Sequence, residues 1–205
     1  MAERHRKKKH QTPGKTQIEA ELKRVKTQKR FATLLKSTVA TLIVIASCAV
    51  LVAVLFMPVL RIYGTSMTPT LSEGQIVVSL KTDSVQPGDI VGVYFGSKLL
   101  IKRCIATEHQ WVDIDKDGTV YVDGFQVDEP YLTEGAKHFG PTNIELPYQV
   151  PDTSIFVVGD HRETSVDSRN TAVGCIDTEN IVGKIVFRVW PLEVFGFVGK
   201  YEGNQ

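Results

Sequence analysis

A long uncharged segment constrains this chain more than any other feature of its sequence. Residues 37–60 form 24 consecutive positions without a charge, and almost all of them are apolar. The 20 residues that precede the helix-breaking Pro58 would make about 30 Å of helix, which is the thickness of a bilayer core. The segment predicts one transmembrane helix, which divides the chain into a head (1–36), a span (37–60) and an outer domain (61–205).

Charge is distributed unevenly around this segment. Residues 1–36 hold twelve of the 24 Lys and Arg residues and three acidic residues, a net charge of +9, so the rest of the chain carries −8 of the total of +1. Basic residues beside a span are retained in the cytoplasm. We therefore expect a single-pass protein of a cell membrane, with a cytoplasmic N-terminus and an extracytoplasmic domain.

The basic head allows more than one interpretation. Its first fifteen residues are polar and charged enough to be a disordered tail that only sets topology. Ile18, Leu22 and Val25 form a weak helical stripe among basic residues, which suits contact with anionic lipid. Nucleic-acid binding is disfavoured, because the head lacks the interleaved aromatic residues of a base-stacking surface.

Two kinds of processing signal resemble the apolar segment in part. A cleavable signal peptide has an apolar region of only about 7 to 15 residues. The sequence IASC, which ends at Cys48, is similar to a lipoprotein cleavage box, but twelve uncharged residues follow it. Both signals are therefore disfavoured.

The other two cysteines, Cys104 and Cys175, lie in the outer domain. An extracytoplasmic location permits a disulfide between them, but we favour the interpretation that each is a small buried apolar residue.

The outer domain has the pattern of a predominantly β fold. Short β-branched and aromatic runs recur between turn residues, which favours a folded-over sheet or partly open barrel. The sequence DIDKDG (113–118) begins like a calcium-binding loop, but Gly124 stands where that loop needs glutamate, so a hairpin turn is favoured. A second turn is expected at Asp123 and Gly124, and residues 133–151 are expected to form a long surface loop. The predicted strands are residues 75–80, 89–95, 99–106, 111–114, 120–122, 154–158 and 181–189.

Ser66 and Lys102 point most directly to chemistry. Ser66 lies in the turn-rich sequence GTSMTPTL (64–71), and Lys102 interrupts the apolar strand LLIKRCIA (99–106). Alternation along this strand places Lys102 on one face with Leu100, Cys104 and Ala106, where desolvation would lower the lysine pKa. A neutral lysine amine within about 3 Å of a serine hydroxyl can take its proton as the oxygen attacks a carbonyl. The alternative is that Ser66 only forms a turn.

Six segments of the outer domain form an ordered set of motifs. They are SMTPTL (66–71), PGDIV (87–91), KR (102–103), VDEPYL (127–132), GDHRETSVDSR (159–169), and IVGK leading to FRVWP (181–191). Together they resemble the type I signal peptidases of bacteria, which are membrane-anchored serine proteases that remove signal peptides from exported proteins. Each segment is a weak match by itself, but six in this order are highly specific.

The resemblance implies a signal-peptidase-like β domain in which Ser66 is the nucleophile and Lys102 the general base. It also implies that Ser165 orients the lysine amine, and that no metal or cofactor is needed. Three residues are similar to charged supports of the site, namely Asp160, Asp167 and Arg169. Lysine at the base position is typical of the bacterial branch, since relatives in the endoplasmic reticulum carry histidine there.

The implied partners are the bilayer and secretory preproteins, which are bound as an extended strand and cut after small residues of Ala-x-Ala type. The single span resembles the Gram-positive form of the enzyme, and a monomer is expected. Two alternatives stay open, a peptidase restricted to a few clients such as pilins, and an inactive anchored binding module.

The chain departs from the familiar pattern at several positions. Gly64 stands two residues before the nucleophile, where some relatives have a serine whose hydroxyl helps to bind the oxyanion. Stabilisation of the oxyanion would then depend on backbone N–H groups such as that of Ser66. His161, Glu163 and Thr164 replace Asn, Asp and Asn, which bears on loop geometry and substrate preference more than on the reaction.

Overall fold

The computed structural model describes residues 14–82, 84–133 and 135–198. Most of the predicted disordered tail, residues 1–13, lies outside these ranges. The chain divides into two compact units between residues 52 and 53. The first unit is helical in its described part, and the second contains all of the β structure described below.

Helix α1 (Lys15–Phe56) is 42 residues long. Its portion from residue 18 to residue 56 is long and apolar enough to cross a membrane, with a mean hydropathy of 2.9 in its most apolar window. The helix extends further toward the N-terminus than the predicted span and ends four residues earlier. Pro58 explains the earlier end, because proline cannot continue the hydrogen bonding of a helix and disfavours helical geometry in the residue before it.

Twelve strands follow α1 in the described residues. They are β1 (Val59–Arg61), β2 (Ile76–Leu80), β3 (Ile90–Phe95), β4 (Lys98–Ala106), β5 (Trp111–Ile114), β6 (Val120–Val122), β7 (Phe125–Gln126), β8 (Tyr148–Gln149), β9 (Ser154–Val158), β10 (Ile176–Asp177), β11 (Ile181–Trp190) and β12 (Gly196–Phe197). All seven predicted strands are confirmed within one residue at each end. The strands that the sequence analysis missed have two or three residues, and alternation is hard to recognise over so few positions.

The strands form two sheets. The larger has the order β1-β2-β11-β3-β4-β9-β10, with β12 added beside β11, and the smaller has the order β7-β6-β5-β8. Every strand pair is antiparallel. The predominantly β fold is confirmed, and the strand order of each sheet runs from one open edge to the other in the described residues.

Both predicted tight turns are confirmed. Asp115 closes the first, since its carboxylate accepts hydrogen bonds from the amides of Asp117 and Thr119, each at 2.9 Å. Asp123 and Gly124 form the second with φ values of 52° and 82°, as a two-residue hairpin with a type I′ turn requires. The sequence DIDKDG is therefore a hairpin between β5 and β6.

Strand β4 does not keep the simple alternation that the sequence predicted. Leu100 and Cys104 pack in the same core cluster, as expected, but Ile105 and Ala106 both pack in a second cluster. The register between β4 and β9 shifts between Cys104 and Ala106. This bulge brings two successive side chains to one side of the sheet.

The cysteines are free thiols. Cys104 is fully buried, and Cys175 is half-buried against a different core cluster. Burial raises the pKa of Cys175 to about 11 and raises that of Cys104 further. The prediction of a small buried residue is thus confirmed for Cys104, whereas Cys175 is only partly buried.

Candidate active site

Ser66 lies in a compact turn between β1 and β2. Thr68 closes the turn by donating two hydrogen bonds to the carbonyl of Thr65, from its amide at 3.0 Å and its hydroxyl at 2.8 Å. Met67 and Leu71 are buried in a core cluster and fix the turn from below. Ser66 itself is half-buried, so the turn presents its hydroxyl at the surface of a rigid support.

Lys102 projects toward this turn from β4, where it pairs with Val91 of β3. Only 3% of Lys102 is exposed, and its Nζ lies 2.8 Å from Ser66 Oγ. The two residues that the sequence analysis selected are therefore brought within hydrogen-bond distance. This separation meets the reach that proton transfer requires.

Burial lowers the pKa of Lys102 below its ordinary value of 10.5, and it is the largest of the influences on this group. Among the neighbouring charges, Asp167 raises the pKa, Arg169 lowers it and Asp160 raises it. The neutral amine is thereby favoured relative to an exposed lysine, as the sequence predicted.

Asp160 is held by a network of buried donors. Arg103 donates from Nε to Oδ1 at 2.9 Å and from Nη2 to Oδ2 at 2.6 Å, and Thr70 donates to Oδ2 at 2.5 Å. The guanidinium of Arg103 also stacks 3.7 Å from the ring centre of Tyr131. Asp160 therefore joins β4 to the turn that carries Ser66.

Asp167 and Arg169 form a second buried pair. Arg169 donates from Nε to Oδ1 at 2.8 Å and from Nη2 to Oδ2 at 2.9 Å. The same carboxylate accepts a 2.9 Å hydrogen bond from the amide of Gly159. This pair fixes the loop that follows β9, and both of its members act on the pKa of Lys102.

Gly159 is the point at which this loop packs against the turn that carries Ser66. A Cβ atom on Gly159 would lie 2.2 Å from Ser165 Oγ and 2.5 Å from the carbonyl oxygen of Ser66. Ser165 is buried, and its hydroxyl has no hydrogen-bond partner in the described part of the chain. The implied contact between Ser165 and the Lys102 amine therefore stays a prediction. The amide of His161 also donates to the Ser66 carbonyl, at 3.0 Å.

Gly64 adopts a φ of +79°, and no described atom beyond its two chain neighbours lies within 4 Å of the place where its Cβ would be. The site thus has room for a side chain, but the backbone conformation favours glycine. Among the described residues, the amide of Ser66 has no backbone hydrogen-bond partner.

A third buried ion pair, between Arg162 and Glu129, received no role in the sequence analysis. Arg162 donates to both oxygens of Glu129, and its Nε donates to the carbonyl of Gly159 at 3.1 Å. Tyr131 donates to Glu129 at 2.9 Å. Burial is the largest single influence and lowers the pKa of Arg162, but Glu129, Tyr131 and Asp160 together raise it by more, so the net shift is upward. The sequence VDEPYL contained these partners, although nothing in it indicated what they contact.

We expect Glu129→Ala to lower the free energy of unfolding by about 3–5 kcal/mol, because it leaves the guanidinium of Arg162 buried without a counterion. Urea denaturation of the full chain in detergent measures the change. Glu73→Ala, at an exposed position, is the control and should fall within about 0.5 kcal/mol of the unmodified protein. Equal stabilities of the two variants would contradict the structural role of the pair.

The chain is similar to known proteins over most of its length. Residues 34–190 match the family model described as signal peptidase, peptidase S26. A signal peptidase I of Bacillus licheniformis is 36% identical over 163 residues, which cover 74% of this chain and 86% of that protein. A signal peptidase IB of Staphylococcus aureus is 38% identical over 153 residues, which cover 65% of this chain and 78% of that protein.

Among solved structures, a signal peptidase I of Enterococcus faecalis is 25% identical, with a TM-score of 0.42, and covers 49% of this chain and 96% of that chain. The family match spans the turn of Ser66, strand β4 with Lys102 and the loop that follows β9. By this match and by its relatives, the chain belongs to the signal peptidase family, peptidase S26, whose members are serine endopeptidases.

Proposed function

We propose that this chain cleaves N-terminal signal peptides from exported preproteins, with Ser66 as nucleophile and Lys102 as general base. The observation that supports these roles most directly is the 2.8 Å separation of Lys102 Nζ from Ser66 Oγ. The lowered pKa of Lys102 supports them further, because the amine must be neutral to accept a proton.

In the proposed reaction, the neutral Lys102 amine takes the Ser66 proton while Oγ attacks the carbonyl carbon of the scissile bond. The resulting ammonium then gives that proton to the leaving nitrogen as the C–N bond breaks, which leaves an acyl-enzyme on Ser66. A water molecule, deprotonated by the same amine, then attacks the ester carbonyl. The Lys102 ammonium returns that proton to Ser66 Oγ as the ester C–O bond breaks and the signal peptide is released. No cofactor is required for any of these steps.

The oxyanion of each tetrahedral intermediate needs donors, and Gly64 has no hydroxyl to supply one. The amide of Ser66 is our candidate, because it has no backbone hydrogen-bond partner in the described residues. A single such donor contributes about 2.7–4 kcal/mol to transition-state stability.

Ser165 is our candidate for orienting the Lys102 amine, since its hydroxyl is buried beside Gly159 and has no hydrogen-bond partner in the described residues. The buried Asp160, Asp167 and Arg169 would support both groups.

Membrane attachment and orientation belong to the same proposal. Helix α1 supplies a span, and its residues 15–36 contain seven basic and two acidic residues, which favours a cytoplasmic N-terminus and an extracytoplasmic catalytic domain. The exposed rings of Phe195 and Phe197, both packed on Phe187, suit additional contact with lipid. Because one chain supplies every member of the proposed site, we propose that the monomer is active.

Covalent labelling tests the nucleophile. A serine-acylating inhibitor incubated with the full chain in detergent micelles is expected to add one acyl group at Ser66, as measured by intact mass and peptide mapping. Ser66→Ala should show no adduct, whereas Ser97→Ala, at an exposed hairpin turn, should label like the unmodified protein. Labelling that persists in Ser66→Ala would reject Ser66 as nucleophile.

Depletion of this protein in the cell distinguishes a general peptidase from one with few clients. Analysis of the secreted proteins would show whether many of them or only a few keep their signal peptides.

A further inference from the structure

A polar cavity of about 310 Å³ opens beside the catalytic turn. Thr68 and Pro69, which follow Ser66 in the turn, form one wall, and the loop after β9 forms another with Asp160, His161 and Glu163. The third wall comes from residues 133–138, in their described part. The residues that precede Ser66 in the turn do not line this cavity.

The walls of this polar cavity are joined to the nucleophile by short hydrogen bonds. The amide of His161 donates to the carbonyl of Ser66 at 3.0 Å, and the hydroxyl of Thr70 donates to Asp160 at 2.5 Å. Thr164 Oγ1 lies 2.8 Å from His161 Nδ1, which holds the imidazole in place. A peptide that enters the cavity is therefore positioned relative to Ser66.

Among the described acidic residues that line the polar cavity, Glu163 is the one whose charge is uncompensated. The carboxylate of Asp160 is buried and neutralised by Arg103. Glu163 is exposed, and it forms no ion pair with any residue that the structure describes. Lys137 lies within the stretch that forms the third wall, but its side chain does not line the polar cavity.

We propose that the polar cavity binds the first residues of the mature protein, those that follow the cut, and that Glu163 makes it prefer basic over acidic residues there. The inference rests on the proposed function. A bound substrate extends from Ser66 in two directions, with the residues before the cut on one side and the residues after the cut on the other. The small apolar residues before the cut gain nothing from polar and charged walls, so the polar cavity suits the residues after the cut.

The size of the preference follows from the exposure of Glu163. An exposed pair of opposite charges changes a binding constant by about twofold to fivefold at low salt, and a like-charge pair has a similar effect in the opposite direction. Substrates that differ by Lys and Glu at the contacted position should therefore differ about fivefold in kcat/KM. The preference should shrink between about 0.05 M and about 0.5 M salt, because mobile ions screen an exposed carboxylate.

A series of peptides tests the inference. All carry the same Ala-x-Ala cleavage sequence, and Lys, Gln or Glu replaces each of the first four residues after the cut in turn. With the full chain in detergent micelles, kcat/KM for Lys over Glu is expected to be about fivefold at one position or more. Glu163→Gln should remove this preference and Glu163→Lys should reverse it. Glu179→Gln, a change at an exposed acid outside the polar cavity, should leave the preference as it is.

The outcomes separate this inference from the proposed function. If Glu163→Lys cleaves the peptides with the same preference as the unmodified chain, or loses activity equally on all of them, the assignment of Glu163 is overturned. If the unmodified chain cleaves none of the peptides and no preprotein, the proposed function itself fails. A preference for Lys over Glu that does not change with salt concentration would likewise contradict an electrostatic role for Glu163.

Discussion

Replacing Lys102 by methionine is expected to lower the rate of preprotein cleavage by about 10⁴-fold, the upper range for a general base. Methionine keeps an unbranched side chain of similar length but cannot accept a proton. Lys102→Arg should be equally inactive, because a guanidinium stays protonated at any pH that the fold survives. Single-turnover cleavage in detergent micelles measures the chemical step. Lys98→Met, at the exposed start of the same strand, should leave the rate within about twofold.

The pH dependence of the unmodified chain provides a second test of the same residue. The pKa of Lys102 is lowered from 10.5, chiefly by burial, so the fraction of neutral amine rises with pH through the lowered pKa. The rate of acylation should rise with pH over that interval and then level off below pH 10.5. A rate that instead rises only around the ordinary lysine pKa would contradict a desolvated base.

Loss of activity in Lys102→Met should not result from unfolding. Between the lowered pKa and 10.5 the folded chain binds fewer protons at Lys102 than the unfolded chain, so stability rises with pH there. Below the lowered pKa, Lys102 is protonated in the folded chain, and the full free-energy cost of burying its ammonium reduces stability. Methionine removes this cost, and the variant should unfold at the same or a higher urea concentration at neutral pH. A variant that is stable and keeps more than about a tenth of the activity would reject Lys102 as the base.

Replacing Gly159 by alanine is expected to lower kcat by about 10²-fold or more while the chain stays folded. The new Cβ would lie 2.2 Å from Ser165 Oγ and 2.5 Å from the Ser66 carbonyl, far inside normal contact. The glycine cannot move away easily, because its amide donates to Asp167 and its carbonyl accepts from Arg162. The turn with Ser66 must shift instead, and displacing a nucleophile by about 1 Å can cost about 10²-fold.

Gly92→Ala is the matched control, because its new Cβ would lie 3.2 Å from the flexible end of Leu60 and would make ordinary contacts of 3.8 Å with Leu99 and Val182. Steady-state kinetics should show that Gly159→Ala loses mainly kcat, and urea denaturation should show a loss of about 1–3 kcal/mol from overpacking. Adding Ser165→Ala should not restore activity, since the contact with the Ser66 carbonyl remains. If Gly159→Ala keeps a kcat within about threefold of Gly92→Ala, the close contact is not essential.

The sequence predicted the regular elements well where their residues carry a local pattern. Seven strands, the Asp-Gly turns and the apolar helix were all recognisable, because alternation, turn chemistry and hydropathy act over a few neighbouring residues. The bulge at Ile105 was not predictable, because it depends on the partner strand β9. The pairing of Glu129 with Arg162 was missed for the same reason, since the two lie 33 residues apart.

The sequence by itself determined the apolar helix with its charge asymmetry, the β character of the following domain, and Ser66 and Lys102 as the pair to examine. Local pattern and an ordered set of motifs are enough for these conclusions. Only the tertiary structure decided that Lys102 Nζ lies 2.8 Å from Ser66 Oγ, that Gly159 packs against the serine, and which buried charges pair. These features arise from contacts between distant segments, whose distances and burial no local pattern encodes.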